Sequence, residues 1–542
     1  MSRQPSRRQF MKSTAVAGTF VFAAEGVHAQ ERNWERGGLP APGKPDRGTI
    51  NQRHDVLFAF DDVGFEMVRG VRLEMVRPDK HADNPILERG KAGEPDAMRV
   101  AFPSIIRDGG RWRIWYAAVY DNWMTSRVGY AESDDGIVWR KPELGLCEHK
   151  GSTQNNLVKS IRGLSTVAVI RDEEAPPERR YVMAGTDMSW FKKWARDAQP
   201  MTRIDVSPDG LNWTPVRDKP GIVPGVDEMI CLYKFRGNYH IAAHQSPPIL
   251  HLPMQEDIPN LMFTPRTFVV WRSPTIDRWP DGNTIAFFKP MRSSSPYVDG
   301  WDGEQVHLGA SVLPYRNVCV GAYGQWHYPQ HRDKNGKWVY DDHLVSADLG
   351  LVVSNDGMHF REPAPGFTMI ARDEELRWDR DHKDNKDDDK ILLVQGPIIN
   401  TDVRTHLYYT ASTPGGNTGK PTANMGLATW PRDRFGYLSA IDETRTAKVT
   451  SCPLEYDDDV RLYANADVPA GSSLQISLMD EHGLDVLPGY GAAEGGQVKE
   501  SGLDVAVDWK EQPLLPGGRP FRIRCEIKGK TRVFALYLRS AK

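Results

Sequence analysis

A strand–turn–strand segment ending on an aromatic residue recurs along this chain. It reads ESDDGIVW to Trp139, VSPDGLNW to Trp213, RSPTIDRW to Trp279 and VSNDGMHF to Phe360, with a degenerate copy, ATWPRDRF, to Phe435. Successive aromatics stand 74, 66, 81 and 75 residues apart. Ahead of each copy lies a pair of apolar runs around a short turn, as in AFPSIIRDGGRWRIWYAAV and MICLYKFRGNYHIAAH. Apolar runs separated by Gly-containing turns read as antiparallel strands. Five repeats of four strands, A to D, predict an all-β fold: a five-bladed β-propeller, one sheet per blade, over residues 53–440.

The repeat is long for a propeller, so the excess must sit in loops. The A–B turns, such as Asp108-Gly109-Gly110 and Arg236-Gly237, are short, and the C–D turns are of the tight Asp-Gly type. The B–C connections (119–128, 185–203, 244–267, 325–349, 410–425) and the D–A connections (140–163, 214–227, 280–305, 361–391) are long. One face is economical and the other elaborated, which is how a scaffold carries a site.

The two ends read differently. Ser6-Arg7-Arg8-Gln9-Phe10 followed by an apolar run, Ala15 to Ala24, and by Val27-His28-Ala29 has the form of a twin-arginine signal peptide over 1–29. That run is shorter than the roughly 20 residues needed to span a bilayer. It predicts export to the periplasm or beyond, with no membrane span in the mature form. Residues 30–52 read as a linker. Val56–Val71 reads as a hairpin able to close the ring. From 441 to 542 the Asp-Gly–aromatic unit is gone and alternation takes over, as in RLYANADV, which predicts a β-sandwich. Lys+Arg 69 against Asp+Glu 72 gives no basic field for nucleic acid. Five Cys without a CxxC pair exclude a disulfide scaffold, though Cys452 and Cys525 share the sandwich and could pair. The sequence leaves the oligomeric state open.

The five-blade layout, the Asp-Gly–Trp turns and the acids ahead of several A strands resemble the five-bladed propeller glycoside hydrolases, among them families 32, 43, 117 and 130. The stretches LFAFDDVGFEMVRGVRLEMVRPDKHADNPIL, WRKPELGLCEHKGSTQNNLV and RLYANADVPAGSSLQISLMDEHGLDVLPGYG are similar to those of secreted bacterial proteins of the family 32 and 43 kind. The resemblance covers most of 55–542 and implies a carbohydrate substrate. The Asn-Asp-Pro-Asn motif of family 32 is missing, and Ser165-Thr166 stand where family 43 has an Asp in its second blade.

Cleaving a glycosidic bond takes a proton for the leaving oxygen and a carboxylate that attacks or activates water. In a propeller such groups come from the starts of the A strands. Glu94 and Asp96 precede the first, Asp227 and Glu228 the third, and Asp302, Glu304 and His307 the fourth, while Gln395 opens the fifth. Glu94 is the candidate base, Glu228 or Asp227 the acid, and Glu304 orients or replaces one of them. On the long loops, Asp121 with Trp123, Asp187 with Trp190, His244 and Trp326 could bind substrate, the indoles stacking on sugar faces. Asn155 and Asn156 would join His244 as hydroxyl partners. Asp61-Asp62 reads as a turn.

Cofactors are not called for. There is no CxxCH, no dense His/Cys cluster and no Gly-rich nucleotide loop, so a redox role lacks its ligands. The acid-rich run Asp381–Asp389 reads as a solvated face, with structural calcium as the alternative, because its lysines and missing Gly and Glu break the EF-hand spacing. Three functions remain: a glycoside hydrolase acting on an oligo- or polysaccharide, a phosphorylase using Arg292, Arg316 and Arg332 to hold phosphate, or a sugar-binding protein without catalysis.

Overall fold

The computed structural model describes residues 54–121, 126–160, 164–187, 202–217, 223, 228–245, 267–280, 284–287, 305–327, 330–332, 334–335, 338–340, 346–372, 392–412 and 422–541. Among them there is no α-helix and a single 3₁₀ turn, Pro177–Arg179; the rest is strand and loop. The signal peptide and linker expected over 1–52, and the acid-rich run 381–389, lie outside the described residues.

Five antiparallel units follow one another. The first holds Arg99–Asp108, Arg111–Val119 and Arg127–Ser133; the second Leu164–Arg171, Tyr181–Asp187, Thr202–Ser207 and Thr214–Pro215. The third holds Glu228–Phe235, Asn238–Gln245, Thr267–Ser273 and Thr284–Phe287. The fourth holds Gln305–Pro314, Cys319–His327, Ser346–Ser354 and, outermost, Thr368–Ile370. The fifth holds Leu392–Asn400, Arg404–Ser412 and Ala423–Pro431. The first strands of the units neighbour one another in sequence order, and that of the fifth neighbours that of the first, so the series is cyclic. Apolar clusters fill each junction. One gathers Val182 and Ile204 with Leu232 and Ile241, for example, and the last joins Leu427 and Tyr408 to Ile114 and Trp112.

The recurrent segment shows why its residues are needed. The serine at its start accepts the N–H of the glycine three residues on, at 2.9 Å for Ser133–Gly136, Ser207–Gly210 and Ser354–Gly357 alike. The aspartate Oδ1 between them takes the next two N–H groups, as Asp135 does from Ile137 and Val138. Each glycine has φ between 74° and 79°, a region that disfavours a side chain. Each also sits under an aromatic from a neighbouring unit. Trp115 donates to the carbonyl of Gly210 at 2.7 Å, Tyr233 to Gly357 at 2.6 Å and Tyr408 to Gly136 at 2.9 Å. The turn is therefore a local motif and an inter-unit clasp at once.

Val56–Val71 does not form the expected closing hairpin. Val56–Phe58 pairs with Ala535–Tyr537, Phe65–Arg69 with Ala447–Ser451, and Val71–Met75 with Gly436–Ala440, so the segment belongs to the C-terminal layers. The outer strand of the fifth unit is instead the two-residue Asp79–Lys80, paired with Ala428 and Thr429. Two sheets at the C-terminal end share one core that includes Leu462, Leu474, Ile476, Ile523, Leu536 and Trp509. Asn317, in the first turn of the fourth unit, ties the layers together. Its Oδ1 accepts the N–H of Asp55 and Val56, and its Nδ2 donates to Val56 O at 2.8 Å. All five cysteines are free thiols, so Cys452 and Cys525 do not pair; burial pushes both thiols up to about 12.

Candidate active site

The five first strands share one irregularity. Each loses register with its partner near its N-terminal end, between Ala101 and Ser104, Leu164 and Thr166, Met229 and Cys231, His307 and Ala310, and Gln395 and Ile398. A β-bulge bends its strand and re-aims the side chains around it, and bulges gather beside active sites. The backbone is forced furthest in the first and fourth units, where Phe102 and Leu308 take φ of 50° and 61°. At the bulges Ile230, Leu308 and Val394 close on one another, with Phe102 packed against them. Beyond that plug all five first strands line a cavity of about 560 Å³, contributing among others Ser104, Ala168, Leu232, Ser311 and Ile398.

On the near side of the plug, at the end served by the long loops, polar side chains are buried together. Glu228 starts the first strand of the third unit, half-buried, directly across the ladder from buried His244. Asp187 ends the second strand of the second unit and is fully buried. Thr186 Oγ1 accepts the Met229 N–H at 3.2 Å, so the immediate neighbours of Asp187 and Glu228 are bonded to each other across the two units. Arg203 Nη1 lies 3.7 Å from Asp187, and its Nε lies 3.0 Å from Asp205. Burial raises the Asp205 carboxyl above the ordinary carboxylate range and Asp187 adds to that, while Arg203 opposes it.

The fourth and fifth units complete the group. The His307 and Trp326 rings stack at 4.3 Å and 20°. Gln395 donates to the carbonyls of His307 and Gly309 at 2.8 and 2.9 Å, and its buried Oε1 accepts no hydrogen bond among the described residues. The packing admits no side chain at two glycines: a Cβ on Gly324 would stand 2.7 Å from His307 Cβ, and one on Gly309 2.9 Å from Ala243 O. The hydroxyls of Thr202, Thr267 and Thr410, at the long-loop end of their sheets, are likewise buried without a hydrogen-bond partner among the described residues. Buried polar atoms are costly unless something bonds them. These atoms stand at the long-loop end of their sheets.

The other expected residues divide clearly. Asp227, Glu304, Trp123 and Trp190 lie outside the described residues. Glu94 is exposed on the loop before the first strand, where it accepts the Lys91 N–H at 2.9 Å. Asp96 beside it is buried, ion-paired to Lys141 at 2.7 Å and accepting the Tyr116 hydroxyl at 2.7 Å. Asp121 is exposed. The amides of Asn155 and Asn156 are engaged within the chain, on Cys147 O at 2.8 Å and on Tyr130 O and Tyr116 Oη at 2.7 Å. Arg316 pairs with Asp55 at 3.1 Å, at the far end of its strand from His307, while Arg292 and the Arg332 side chain lie outside the description. No group of three or more His, Cys, Asp or Glu among the described residues is arranged to hold a metal ion.

Sequence reasoning missed Arg203 and Asp205. Their signal was present: two charges alternating with apolar residues inside a strand, Thr202-Arg203-Ile204-Asp205-Val206, place charge where one face of a sheet is buried. It missed Arg99 too, buried at the start of the first unit, where burial lowers its guanidinium to about 10.

No family model matches the chain. Two uncharacterized proteins of Mycobacterium tuberculosis, MT1551 and Rv1502, are each 27% identical to it over 157 residues, 27% of this chain and 46% of theirs. The chain thus spans about half the length of the curated relatives it matches. Among solved structures, a glycosyl hydrolase from Bacteroides ovatus overlaps 67% of this chain and 95% of its own, at 14% identity and a TM-score of 0.39. A family 43 arabinoxylan arabinofuranohydrolase from Bacillus subtilis overlaps 86% and 99%, at 11% identity and a TM-score of 0.34. Overlaps of this strength assign neither a reaction nor a residue to this chain.

Proposed function

We propose that this protein is an exported glycoside hydrolase, a five-bladed β-propeller carrying a C-terminal β-sandwich, that cleaves glycosidic bonds in an oligo- or polysaccharide. The cyclic order of five first strands supports the propeller. One observation carries the activity: Asp187, Glu228, His244, His307, Trp326 and Gln395 gather at the bulged, long-loop end of those strands. Glu228, half-buried beside His244, is the proton donor to the leaving oxygen. Asp187, one residue from the Thr186–Met229 hydrogen bond, supplies the opposing carboxylate, with Glu94 as the alternative and Asp227 and Glu304 as further acids near the same strand starts. Two carboxyls from separate strands are the minimum this chemistry needs. Gln395 and the unpartnered threonine hydroxyls hold sugar hydroxyls. The indole and imidazole faces of Trp326 and His307 offer apolar surface to sugar C–H groups.

The test is incubation of the mature chain with a panel of oligosaccharides, with and without inorganic phosphate, reading new reducing ends. Phosphate-independent cleavage of at least one substrate is expected. Release of a sugar phosphate only when phosphate is present would make the protein a phosphorylase. Binding without turnover would leave a sugar-binding protein.

A further inference from the structure

Three neighbouring strands of the C-terminal part, Val71–Met75, Gly436–Ala440 and Arg532–Ser540, alternate in the same sense. Leu73, Leu438 and Val533 turn inward to the core. Arg72, Glu74, Tyr437, Ser439 and Arg532 therefore share the outward face, with Glu74 opposite Tyr437 and Arg72 opposite Ser439. Loops rising around this face enclose a concavity of about 340 Å³ that Glu443, Asp467 and Lys530 also line. That volume falls at the lower end of the range for small-molecule sites, about 300–1,000 Å³.

The charges in it are unevenly committed. Glu74 is held by Arg72 at 2.8 Å and by the Tyr437 hydroxyl at 2.7 Å, and this hydrogen bond, ahead of the nearby arginines, lowers its carboxyl below the usual range. Asp467 is held by Arg434 at 2.8 Å. Arg532 lies over the Tyr437 ring at 4.9 Å, and among the described residues its guanidinium enters no ion pair or hydrogen bond. The Lys530 ammonium is uncommitted in the same sense. Arg532, whose charge also acts on Glu74, and Lys530 thus face the pocket with no ion pair or side-chain hydrogen bond of their own among the described residues, while Glu74 and Asp467 are held.

We propose that this concavity binds a uronic acid unit, a sugar bearing one carboxylate. The Arg532 fork matches a carboxylate in two parallel hydrogen bonds, and Lys530 adds charge from the rim. Ser439 and the Glu443 carboxylate offer partners for ring hydroxyls. A dianion fits less well, because Glu443 and Glu74 border the same space. The Tyr437 ring is covered by Arg532, so recognition is polar rather than by stacking. This binding stands whether or not the other site cleaves glycosidic bonds.

Calorimetric titration of the mature protein with sodium glucuronate or galacturonate tests it, with glucose, acetate and inorganic phosphate as controls. A uronate should bind, and glucose and acetate, which each lack half of the recognition, should bind about tenfold more weakly or less. Arg532→Gln should weaken uronate about tenfold or more, the scale of a lost charge-assisted bond, with the melting temperature and any oligosaccharide turnover unchanged. Lys530→Gln should weaken it less. Absence of uronate binding, equal binding of glucose, tighter binding of phosphate, or an affinity indifferent to Arg532→Gln would each overturn the proposal.

Discussion

The Tyr408 hydroxyl of the fifth unit donates to the carbonyl of Gly136 in the first, at 2.9 Å, and so clasps the end of the strand series to its beginning. The same contact explains the glycine. At φ +79°, a Cβ there would stand 2.6 Å from the Tyr408 oxygen. Gly136→Ala should destabilise the fold by about 2–4 kcal/mol, from backbone strain and overpacking together. Gly109→Ala, at φ +57° with open space around it, should cost only the strain, about 1 kcal/mol. Tyr408→Phe should cost about 1 kcal/mol for the buried hydrogen bond. Urea unfolding of the three variants measures the order, and equal losses at Gly136 and Gly109 would remove the clasp from the account.

Glu228→Gln keeps the shape of the side chain and removes the transferable proton. If Glu228 is the acid, turnover should fall on the order of 10²-fold or more with KM little changed. Asp187→Asn should do the same from the opposing carboxylate. Gln395→Ala should act mainly on KM. Full activity in Glu228→Gln would place the proton donor elsewhere among the acids of the long-loop end.

Three buried imidazoles set the acid limb of stability. Burial, the largest influence on each, lowers His54, His240 and His406 to about 4 from 6.5. As pH falls through 6.5 the unfolded chain takes up protons that the folded chain refuses, so their support is complete above 6.5 and drains away between 6.5 and 4. The melting temperature should fall steadily across that window. His240→Phe preserves a flat ring against Tyr233, stacked at 4.9 Å in the native pair, and should reduce the slope. Asp356 enters only at lower pH. Burial resists its ionisation, but hydrogen bonds from His359 and the backbone outweigh this and hold it at about 2, so its support is lost from 3.8 downward.

Export is proposed on the guanidinium pair at Arg7 and Arg8. Replacing both with Lys should keep the precursor in the cytoplasm, read as loss of the processed form from the periplasmic fraction. Unchanged processing would mean another route.

What the chain determined by itself is what is written within a few residues. The Ser-x-Asp-Gly turn closes on bonds from the Gly136 N–H to Ser133 Oγ and from the Val138 N–H to Asp135 Oδ1, so its recurrence was readable as strand, turn and strand without any partner. The apolar pairs ahead of each turn announced antiparallel strands for the same reason. Tertiary structure decided the rest. Alternation in Val71–Met75 says that one face is buried but not against which strand, and the pairing went to Gly436–Ala440, more than 350 residues away. That left Asp79–Lys80, too short to carry any period, as the outer strand of the fifth unit. The candidate site is of the same kind. Glu228, His307 and Gln395 could be placed at strand starts from the sequence, yet neither segment shows that Thr186, beside Asp187, takes the N–H of Met229, beside Glu228, across two units. Arg203 and Asp205 stand out only through their burial and their pairing beside Asp187. Local hydrogen bonds are encoded where they form, whereas long-range partners are chosen by the free energy of the whole packed core, which no single segment contains.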